Sequence, residues 1–368
     1  MKKIRKNRLV LVVAVSLWAV SGCCHPTCPA SQATAGQENL SPGGAESSPE
    51  FAQVPPVQEM ADPLPSWNDG PLKDRLWTFV RNASADGSPG FIPREERIAV
   101  FDNDGTLWSE KPMYFQMLFA LDRVRALAPE HPEWTTTQPF KAVLENDTKT
   151  LGAMELEDIL KLVETSHAGL TVDAFRDIVA KWFETTVHPE LKKPYADLVY
   201  QPMLELLALL RDRGFKVYIV SGGGVEFMRA YIAGVYGIAP EQVIGSLGKT
   251  VFEIRDGRPE LVKAPGIAYV DDKAGKPVAI HNIIGRRPVL AFGNSDGDLE
   301  MLQYTAAGGQ NTFMGLIHHT DAAREWAYDK DSSVGRLDKA LAEATAKNWA
   351  VVDMKADWKV VHRAPAVR

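Results

Sequence analysis

Two aspartates separated by one residue follow a short apolar run in IAVFDNDGTLW, residues 98–108. Gly105 and Thr106 come directly after Asp102 and Asp104. A carboxylate can attack phosphorus and form an aspartyl-phosphate. A second carboxylate nearby can protonate the leaving oxygen and then activate a water molecule. The types and spacing of these residues therefore predict phosphoryl-transfer chemistry at Asp102 and Asp104.

Two later apolar runs also end in polar residues. FKVYIV ends at Ser221 and three glycines, PVLAF ends at the acidic stretch GNSDGD, and Lys276 lies between them in DDKAGKP. A serine hydroxyl, glycine amides and a lysine can hold phosphate oxygens. A hard cation such as Mg²⁺ bridges carboxylate and phosphate oxygens. Together these groups could bind and activate a phosphate ester.

The elements that must position these groups alternate along the chain. Residues 97–101 read as a buried strand, and residues 201–213 read as an amphipathic helix that Gly214 ends. Alternating strands and helices predict an α/β fold with a Rossmann-like parallel sheet flanked by helices. Ligands bind such sheets beyond the carboxyl ends of the strands. The polar strand ends are therefore expected to meet at one edge of the sheet.

Residues 111–194 carry helical patterns without a convincing strand, which predicts a helical cap inserted between the first two strands. The catalytic core is then expected to comprise residues 67–110 and 195–368. Its first helix could be capped by Asn68 or Asp69. The stretch TVFEIRDGRPELV alternates around Asp-Gly, which is typical of a hairpin.

The N-terminus has the pattern of an export signal. Five basic residues precede an apolar run that extends from Leu9 to Val20. This run is too short to span a membrane comfortably. Cys23 follows where a bacterial lipobox, which this stretch resembles, has its lipid-modified cysteine; an ordinary secretory signal cleaved nearby is the alternative. The expectation is a signal peptide over residues 1–22 and a disordered tether over 23–66. The protein would be exported and anchored by lipid to the membrane, on the periplasmic side of the bacterial cell envelope.

Charge and cysteine content exclude several function classes. The net charge is −6 and the pI is about 5.8, which argues against a nucleic-acid partner. All three cysteines lie between Cys23 and Cys28. The remainder of the chain therefore has no thiol for a disulfide, a thiolate zinc site or a cysteine nucleophile.

Four motifs occur in order between about residues 95 and 303, and together they resemble the phosphatase side of the haloacid dehalogenase superfamily, in particular phosphoserine-phosphatase-like members. DNDGT matches the first motif, VSGGG the second, Lys276 the lysine of the third, and GNSDGDLEML the acidic fourth. The resemblance implies that Asp102 is the nucleophile and Asp104 the acid/base. It also implies that phosphate is bound by Thr106, Ser221, Gly222 and Lys276.

The fourth motif departs from the family pattern, because Asn294 stands where an aspartate usually follows the glycine. The resemblance implies a Mg²⁺ site built from Asp102, Asp104, Asn294 and Asp298. Asp296 remains an alternative metal ligand, and Lys273 remains an alternative to Lys276.

The expected function is Mg²⁺-dependent hydrolysis of a small phosphorylated metabolite through an aspartyl-phosphate. A phosphotransferase of the same family and a non-catalytic envelope-binding lipoprotein are the alternatives, and neutral Asn294 is the feature that favours the second. Glu110 is expected to be a solvated acid, although it lies near the position of a substrate-facing glutamate in phosphoserine phosphatases. His167 could face the substrate from the cap.

Overall fold

The computed structural model of the protein describes residues 62–154 and 156–364. The expected signal peptide and the lipidation site at Cys23 lie outside the described residues. No helix in the described ranges is both long enough and apolar enough to cross a membrane.

The folded body begins earlier than the sequence suggested. Leu64 is fully buried and Ser66 is nearly so, although both belong to the stretch expected to be a tether. The backbone amide of Ser66 donates to Glu205 Oε2 at 2.9 Å. Burial of an apolar side chain and satisfaction of a backbone amide fix this segment on the body. The predicted boundary at residue 66 is therefore too late, because the described fold already includes Leu64 and Ser66.

The described residues form seven strands and thirteen α-helices. The strands are β1 (Ile98–Phe101), β2 (Lys216–Gly224), β3 (Val243–Arg255), β4 (Arg258–Tyr269), β5 (Leu290–Gly293), β6 (Phe313–His318) and β7 (Ala350–Asp353). The helices are α1 (Pro71–Ser84), α2 (Phe115–Leu127), α3 (Phe140–Glu145), α4 (Thr148–Gly152), α5 (Leu156–Thr165), α6 (Val172–Thr185), α7 (Gln201–Asp212), α8 (Val225–Arg229), α9 (Ile232–Tyr236), α10 (Gly275–Ile284), α11 (Leu299–Ala306), α12 (Lys339–Ala346) and α13 (Met354–Asp357).

One sheet joins all seven of these strands, in the order β4-β3-β2-β1-β5-β6-β7. Neighbouring strands are parallel except for β3 and β4, which form an antiparallel hairpin. The chain runs outward from β1 to β2 and β3, then returns to place β5 on the other side of β1. Such a reversal opens a crevice at the carboxyl ends of the central strands. The predicted α/β class with a mostly parallel, helix-flanked sheet is confirmed.

Alternating residues of β1 pack into two different apolar cores, one on each face of the sheet. In β1, Ala99 and Phe101 belong to the core shared with α1 and α7, whereas Ile98 and Val100 belong to the core shared with α10, α11 and α12. This is the period of two that a strand buried on both faces must show. Burial on both faces fixes the position of β1, and therefore of the residues that follow it.

Helices α2 to α6 lie between β1 and α7 and are called here the helical insertion (residues 115–185). Part of it packs around a small core of its own, in which Trp134 stacks on Phe140 with ring centroids 4.4 Å apart. The insertion also contacts the β3–β4 hairpin. The amide of Gly169 donates to the carbonyl of Lys263, and the amide of Lys263 donates to the carbonyl of Leu170, both at 2.9 Å.

Several local expectations can be compared with the structure. Helix α7 ends one residue before the predicted limit, and Gly214 adopts a φ of 77°, which favours glycine after a helix. The hairpin turns at Asp-Gly as predicted. The expected cap of α1 is wrong: Gly70 precedes it and no side chain caps it, while Asn68 donates instead to the carbonyl of Ala356. Pro71 at the first position already removes one unsatisfied amide.

Candidate active site

A cavity of about 430 Å³ opens at the carboxyl ends of β1, β2 and β5. The core side of its wall brings together residues from the four segments that the sequence singled out. The insertion covers the other side. The lining residues are Asp102, Asp104, Glu110, Tyr114, Gln116, Met117, Ile159, Val163, Ser221, Gly222, Gly223, Asp272, Lys276, Ser295, Gly297 and Asp298.

Asp102 sits directly after β1 and is held by the neighbouring strand. Its amide donates to the carbonyl of Phe292 in β5 at 2.9 Å. Its Oδ1 accepts from Lys276 Nζ at 2.6 Å, and Thr106 Oγ1 lies 3.4 Å from Oδ2. Burial and the charge of Asp298 raise the pKa of Asp102, while Lys276 opposes that rise. The carboxylate thus faces the cavity with one bound ammonium as its countercharge.

Lys276 is the buried lysine of the motif, whereas Lys273 is exposed. Besides Asp102, the Lys276 ammonium donates to Asp298 Oδ1 at 2.6 Å and to the carbonyl of Val220 at 2.9 Å. The two carboxylates and their hydrogen bonds hold the pKa of Lys276 above its usual value despite burial. A permanently charged ammonium therefore lies at the cavity wall, and of the two candidate lysines only Lys276 reaches the site.

Asp104 lines the same cavity and directly precedes the turn at Gly105, whose φ is 74°. Its Oδ1 accepts from Trp108 Nε1 at 2.8 Å. Burial raises the pKa of Asp104 to about 6, although the bonds from Trp108 and the charge of Lys276 lower it. A carboxyl with this pKa can hold a proton near neutral pH and release it, as a general acid must.

The predicted phosphate-binding residues divide into two groups. Ser221 and Gly222 line the cavity at the end of β2, next to Gly223, whose amide donates to Ser221 Oγ at 3.2 Å. Thr106 does not line it. Its hydroxyl lies 3.1 Å from Asn294 Oδ1 and near Asp102, so its contacts position these two side chains instead.

Asn294 is held between Thr106 and Glu110. Its Nδ2 donates to Glu110 Oε1 at 2.8 Å, and Tyr328 donates to the same oxygen at 2.7 Å. Because a carboxyl oxygen faces the amide on this side, the Asn294 oxygen must point to the other side, toward Thr106 and Asp102. Glu110 is fully buried and burial raises its pKa well above its usual range, so the expectation of a solvated acid is wrong.

The remaining acids of the fourth motif make contacts within the fold. Asp298 uses Oδ1 for Lys276, and its Oδ2 accepts from the amides of Asn294 and Ser295, each at 3.0 Å. Asp296 Oδ1 accepts from the amides of Asp338 and Ala340, at the start of α12. These contacts make Asp298 a positioning residue for Lys276 and Asn294, and they turn Asp296 away from the cavity.

Oxygens of Asp102, Asp104 and Asn294 are the donors that fit Mg²⁺. Asp102 Oδ2 and Asn294 Oδ1 converge on the Thr106 hydroxyl, and Asp104 lines the adjacent wall. Within residues 62–154 and 156–364, no group of three or more His, Cys, Asp or Glu side chains is placed to hold a metal. Mg²⁺ commonly takes only one or two protein carboxylates and completes its shell with water and substrate phosphate. Asp298, predicted as a ligand, lines the cavity, but Lys276 holds its Oδ1 and the amides of Asn294 and Ser295 hold its Oδ2. In the described part of the chain, Asn294 does not line the cavity and contacts Asp102 only through the Thr106 hydroxyl.

Residues 99–303 match the family model described as haloacid dehalogenase-like hydrolase, which covers more than half of the 368 residues. The chain belongs to this hydrolase family. No curated protein matches the sequence.

Solved structures similar to this hydrolase have low sequence identity to it. A protein of unknown function from Bordetella pertussis Tohama I has 16% identity and a TM-score of 0.46, over 70% of this chain and 99% of that one. A phosphoserine phosphohydrolase-like protein from Francisella tularensis subsp. tularensis SCHU S4 has 18% identity and a TM-score of 0.35, over 60% and 87%. A probable phosphoserine phosphatase from Vibrio cholerae has 16% identity and a TM-score of 0.33, over 61% and 58%.

Two residues of the site were missed or misjudged in the sequence. Gln116, at the start of α2, accepts through Oε1 from the amide of Gly224 at 2.6 Å and so ties the insertion to the end of β2. Nothing in its sequence context marks it. Glu110 had a signal, since it follows the first motif closely, but its burial depends on Tyr328 and Gly335, which lie far along the chain.

A pH-dependent stability effect is expected at Asp271, which precedes the lysine motif. Asp271 is fully buried, and neither of its oxygens has a hydrogen-bond partner in the described part of the chain. Burial raises the pKa of Asp271 from 3.8 to about 7 in the folded protein. Asp271 is protonated in both the folded and the unfolded state below pH 3.8, where it does not reduce the free energy of unfolding. As the pH rises from 3.8 to about 7, ionisation favours the unfolded state and the free energy of unfolding falls.

Asp271→Asn should therefore stabilise the protein increasingly between about pH 4 and pH 7, with no further gain above that range. A pKa unit corresponds to about 1.4 kcal/mol, so the gain should reach roughly 2–4 kcal/mol. Urea unfolding across this pH range measures it, with Asp272→Asn, the exposed neighbour, as the matched control. If Asp271→Asn changes the free energy of unfolding by the same amount at every pH, ionisation of Asp271 does not destabilise the folded protein and the prediction is wrong.

Proposed function

We propose that this protein hydrolyses a small-molecule phosphomonoester through an aspartyl-phosphate on Asp102. The observation that carries this proposal is the shared position of Asp102, Asp104 and Lys276 at one cavity, with a lysine ammonium 2.6 Å from the Asp102 carboxylate. Membership of the haloacid dehalogenase-like hydrolase family supports a hydrolytic reaction.

In the first step a carboxylate oxygen of Asp102 attacks phosphorus and the ester oxygen leaves. Lys276, the Ser221 hydroxyl and the Gly222 amide balance the charge on the remaining phosphate oxygens. Asp104 donates the proton held at Oδ2, since Oδ1 accepts from Trp108. The same carboxylate then takes a proton from the water that attacks the aspartyl-phosphate, which returns Asp102 and releases phosphate.

Mg²⁺ is proposed as the cofactor, bound by the Asp102 carboxylate, the Asn294 amide oxygen and the main-chain oxygen of Asp104, which leaves the Asp104 carboxyl free for proton transfer. When bound, it would supply positive charge to the attacking carboxylate and to the phosphate oxygens. Glu110 would hold the Asn294 amide so that its oxygen faces this position. Asp298 would act through Lys276 and the loop that carries Asn294.

The helical insertion is proposed to act as a cap over the site. Tyr114, Gln116, Met117, Ile159 and Val163 line the cavity from this side. A cavity of about 430 Å³ covered by apolar and aromatic side chains suits a small metabolite. It does not suit a large polymer.

A panel of phosphorylated metabolites tests this function, assayed for phosphate release with Mg²⁺ and with a chelator. Phosphate release from at least one small ester, lost with chelator and restored by Mg²⁺, is the expected result. Transfer of the phosphoryl group to an added alcohol without phosphate release would identify a phosphotransferase instead. Binding without turnover of any panel member would contradict the proposal.

We also propose that the mature protein is tethered to the bacterial envelope through lipid on Cys23. The apolar run and the small residues before Cys23 support it. Fractionation of cells that produce Cys23→Ala tests it. Mature protein of this variant still held in membranes by an N-terminal lipid would contradict the proposal.

A further inference from the structure

A second cavity, of about 270 Å³, adjoins the candidate active site and is called here the side cavity. Gln116, Val163 and Gly222 line both cavities, so the two meet at these residues. Side chains of α5, α6, α8 and the β3–β4 hairpin form the rest of the wall. The wall includes His167, Phe175, Glu226, Gly248 and Lys263.

Lys263 places an uncompensated charge in this wall. Only 4% of the residue is exposed and burial lowers its pKa, but its ammonium borders the open space of the side cavity and makes no hydrogen bond or ion pair with another described residue. The ammonium lies 5.3 Å from the centroid of the Phe175 ring, which offers a weak cation–π contact and no oxygen. A buried charge without a partner is costly, and proteins usually pair it. The side chain is therefore built to receive an anion.

The other charged groups nearby do not provide that partner. Glu226 lines the side cavity, but its Oε2 lies 2.6 Å from an Arg176 nitrogen and its Oε1 lies 2.9 Å from Arg229. Two arginines already balance this one carboxylate. Burial and the charge of Lys263 lower the pKa of His167 to about 4, so its imidazole is neutral at physiological pH. Lys263 thus has no carboxylate in hydrogen-bond contact among the described residues, although the charge of Glu226 acts on it from a distance.

His167 supplies a polar atom next to the lysine. The Ser166 hydroxyl donates to the carbonyl of Val163 at 2.6 Å, so Nδ1–H of the neutral imidazole donates to Ser166 Oγ at 3.1 Å and Nε2 faces the cavity as an acceptor. A Cβ atom added at Gly248 would lie 3.5 Å from Lys263 Nζ and 3.8 Å from His167 Nε2, so both nitrogens surround the open space above that glycine. The ammonium can bind a carboxylate oxygen in this space, whereas Nε2 of His167 is an acceptor and offers no proton to a carboxylate.

We propose that Lys263 binds a carboxylate at the far end of the substrate, so that the substrate is a phosphomonoester with a carboxylate on an apolar stem. This proposal rests on the proposed phosphatase function for the phosphate end. The phosphate occupies the active-site cavity, and the stem passes Gln116 and Val163. Leucine, valine and phenylalanine side chains of the side cavity contact the stem.

The test compares matched pairs of substrates, each an ω-phosphooxy carboxylic acid and its primary amide, in a series of chain lengths. The ratio of kcat/KM for acid over amide is measured for the unchanged protein, for Lys263→Met and for Lys249→Met. Lys249 is an exposed lysine of the same hairpin and serves as the control. A hydrogen bond between charged groups corresponds to roughly 10- to 100-fold in affinity.

For the unchanged protein and for Lys249→Met, kcat/KM at the best chain length should be roughly 10- to 100-fold higher for the acid than for the amide. Most of this difference should come from a lower KM for the acid. Lys263→Met should show a ratio of about 1, because the acid loses its countercharge and the amide never used it. No preference in the unchanged protein, or a preference that survives Lys263→Met, would overturn the proposal. Methionine fills the same volume without a buried charge, and Lys263→Gln replaces it if that variant does not fold.

Binding measurements separate this proposal from the proposed function. If no ester is hydrolysed, calorimetric titration of the acids and amides still reports on the side cavity. A preference for the acid that disappears in Lys263→Met would support the carboxylate site even though the phosphatase function had failed. Equal binding of acid and amide would overturn the carboxylate site even if hydrolysis of other esters were found.

Discussion

Asp102→Asn should abolish the hydrolysis of phosphate esters and the formation of any covalent phosphoenzyme. An amide carries no charge to attack phosphorus, and the two cavity acids whose charges act on Asp102 are held by other groups. Asp298 is held by Lys276 and two backbone amides, while Asp104 is fixed by Trp108. Activity should therefore fall to background, a larger loss than for any other single change at the site.

Rapid quenching after mixing with a labelled phosphate ester measures this effect directly. The unchanged protein should carry label transiently, and Asp102→Asn should carry none. Asp86→Asn, at an exposed position in the loop after α1, is the control for the chemistry of the substitution. Lys276 keeps Asp298 as a partner in Asp102→Asn, so thermal unfolding should verify that the variant is folded. Equal labelling of Asp102→Asn would place the nucleophile elsewhere.

The sheet could be predicted because its cause is local. Asp102 and Ser221 each follow an apolar run short enough to be a strand, and burial of both faces leaves such a run few alternatives. The hairpin at Asp256 and Gly257 was similarly visible, since both residues adopt the positive φ that this dipeptide tolerates. Order along the chain then implies that the polar strand ends meet at one sheet edge.

Side-chain partners could not be predicted in the same way, because they come from distant segments. Lys263 lies on a hairpin strand whose alternation suggests a solvated face, but the insertion covers that face through Gly169 and Leu170. Glu110 is buried because Tyr328 closes over it. The fourth motif contains several acids, and the sequence could not show which of their oxygens were free to bind a metal. The structure shows that both oxygens of Asp298 already accept hydrogen bonds.

Asp104→Asn should separate the two halves of the reaction. The variant keeps the Asp102 nucleophile but has no proton to donate, and its neutral amide cannot take one from water. General acid–base catalysis contributes roughly 10²–10⁴ in rate, so turnover of an alkyl phosphate should fall by that factor. The loss should be much smaller for the first step with an aryl phosphate, whose leaving oxygen needs little protonation.

The consequence is that a phosphoenzyme should accumulate in Asp104→Asn when an aryl phosphate is supplied. Attack of Asp102 remains fast with this leaving group, whereas water attack on the aspartyl-phosphate has lost its base. A burst of the aryl alcohol, equal to the concentration of sites and followed by slow turnover, would report it, and quenched protein should carry the label. The burst should be absent in a double variant that also carries Asp102→Asn.

If Asp104→Asn lowers turnover of alkyl and aryl esters by the same factor and traps no label, Asp104 acts on binding, and the proton must come from another group at the cavity. Glu110 would then be the first to test, since it lines the cavity and, like the nucleophile Asp102, has a pKa that burial raises well above its usual range.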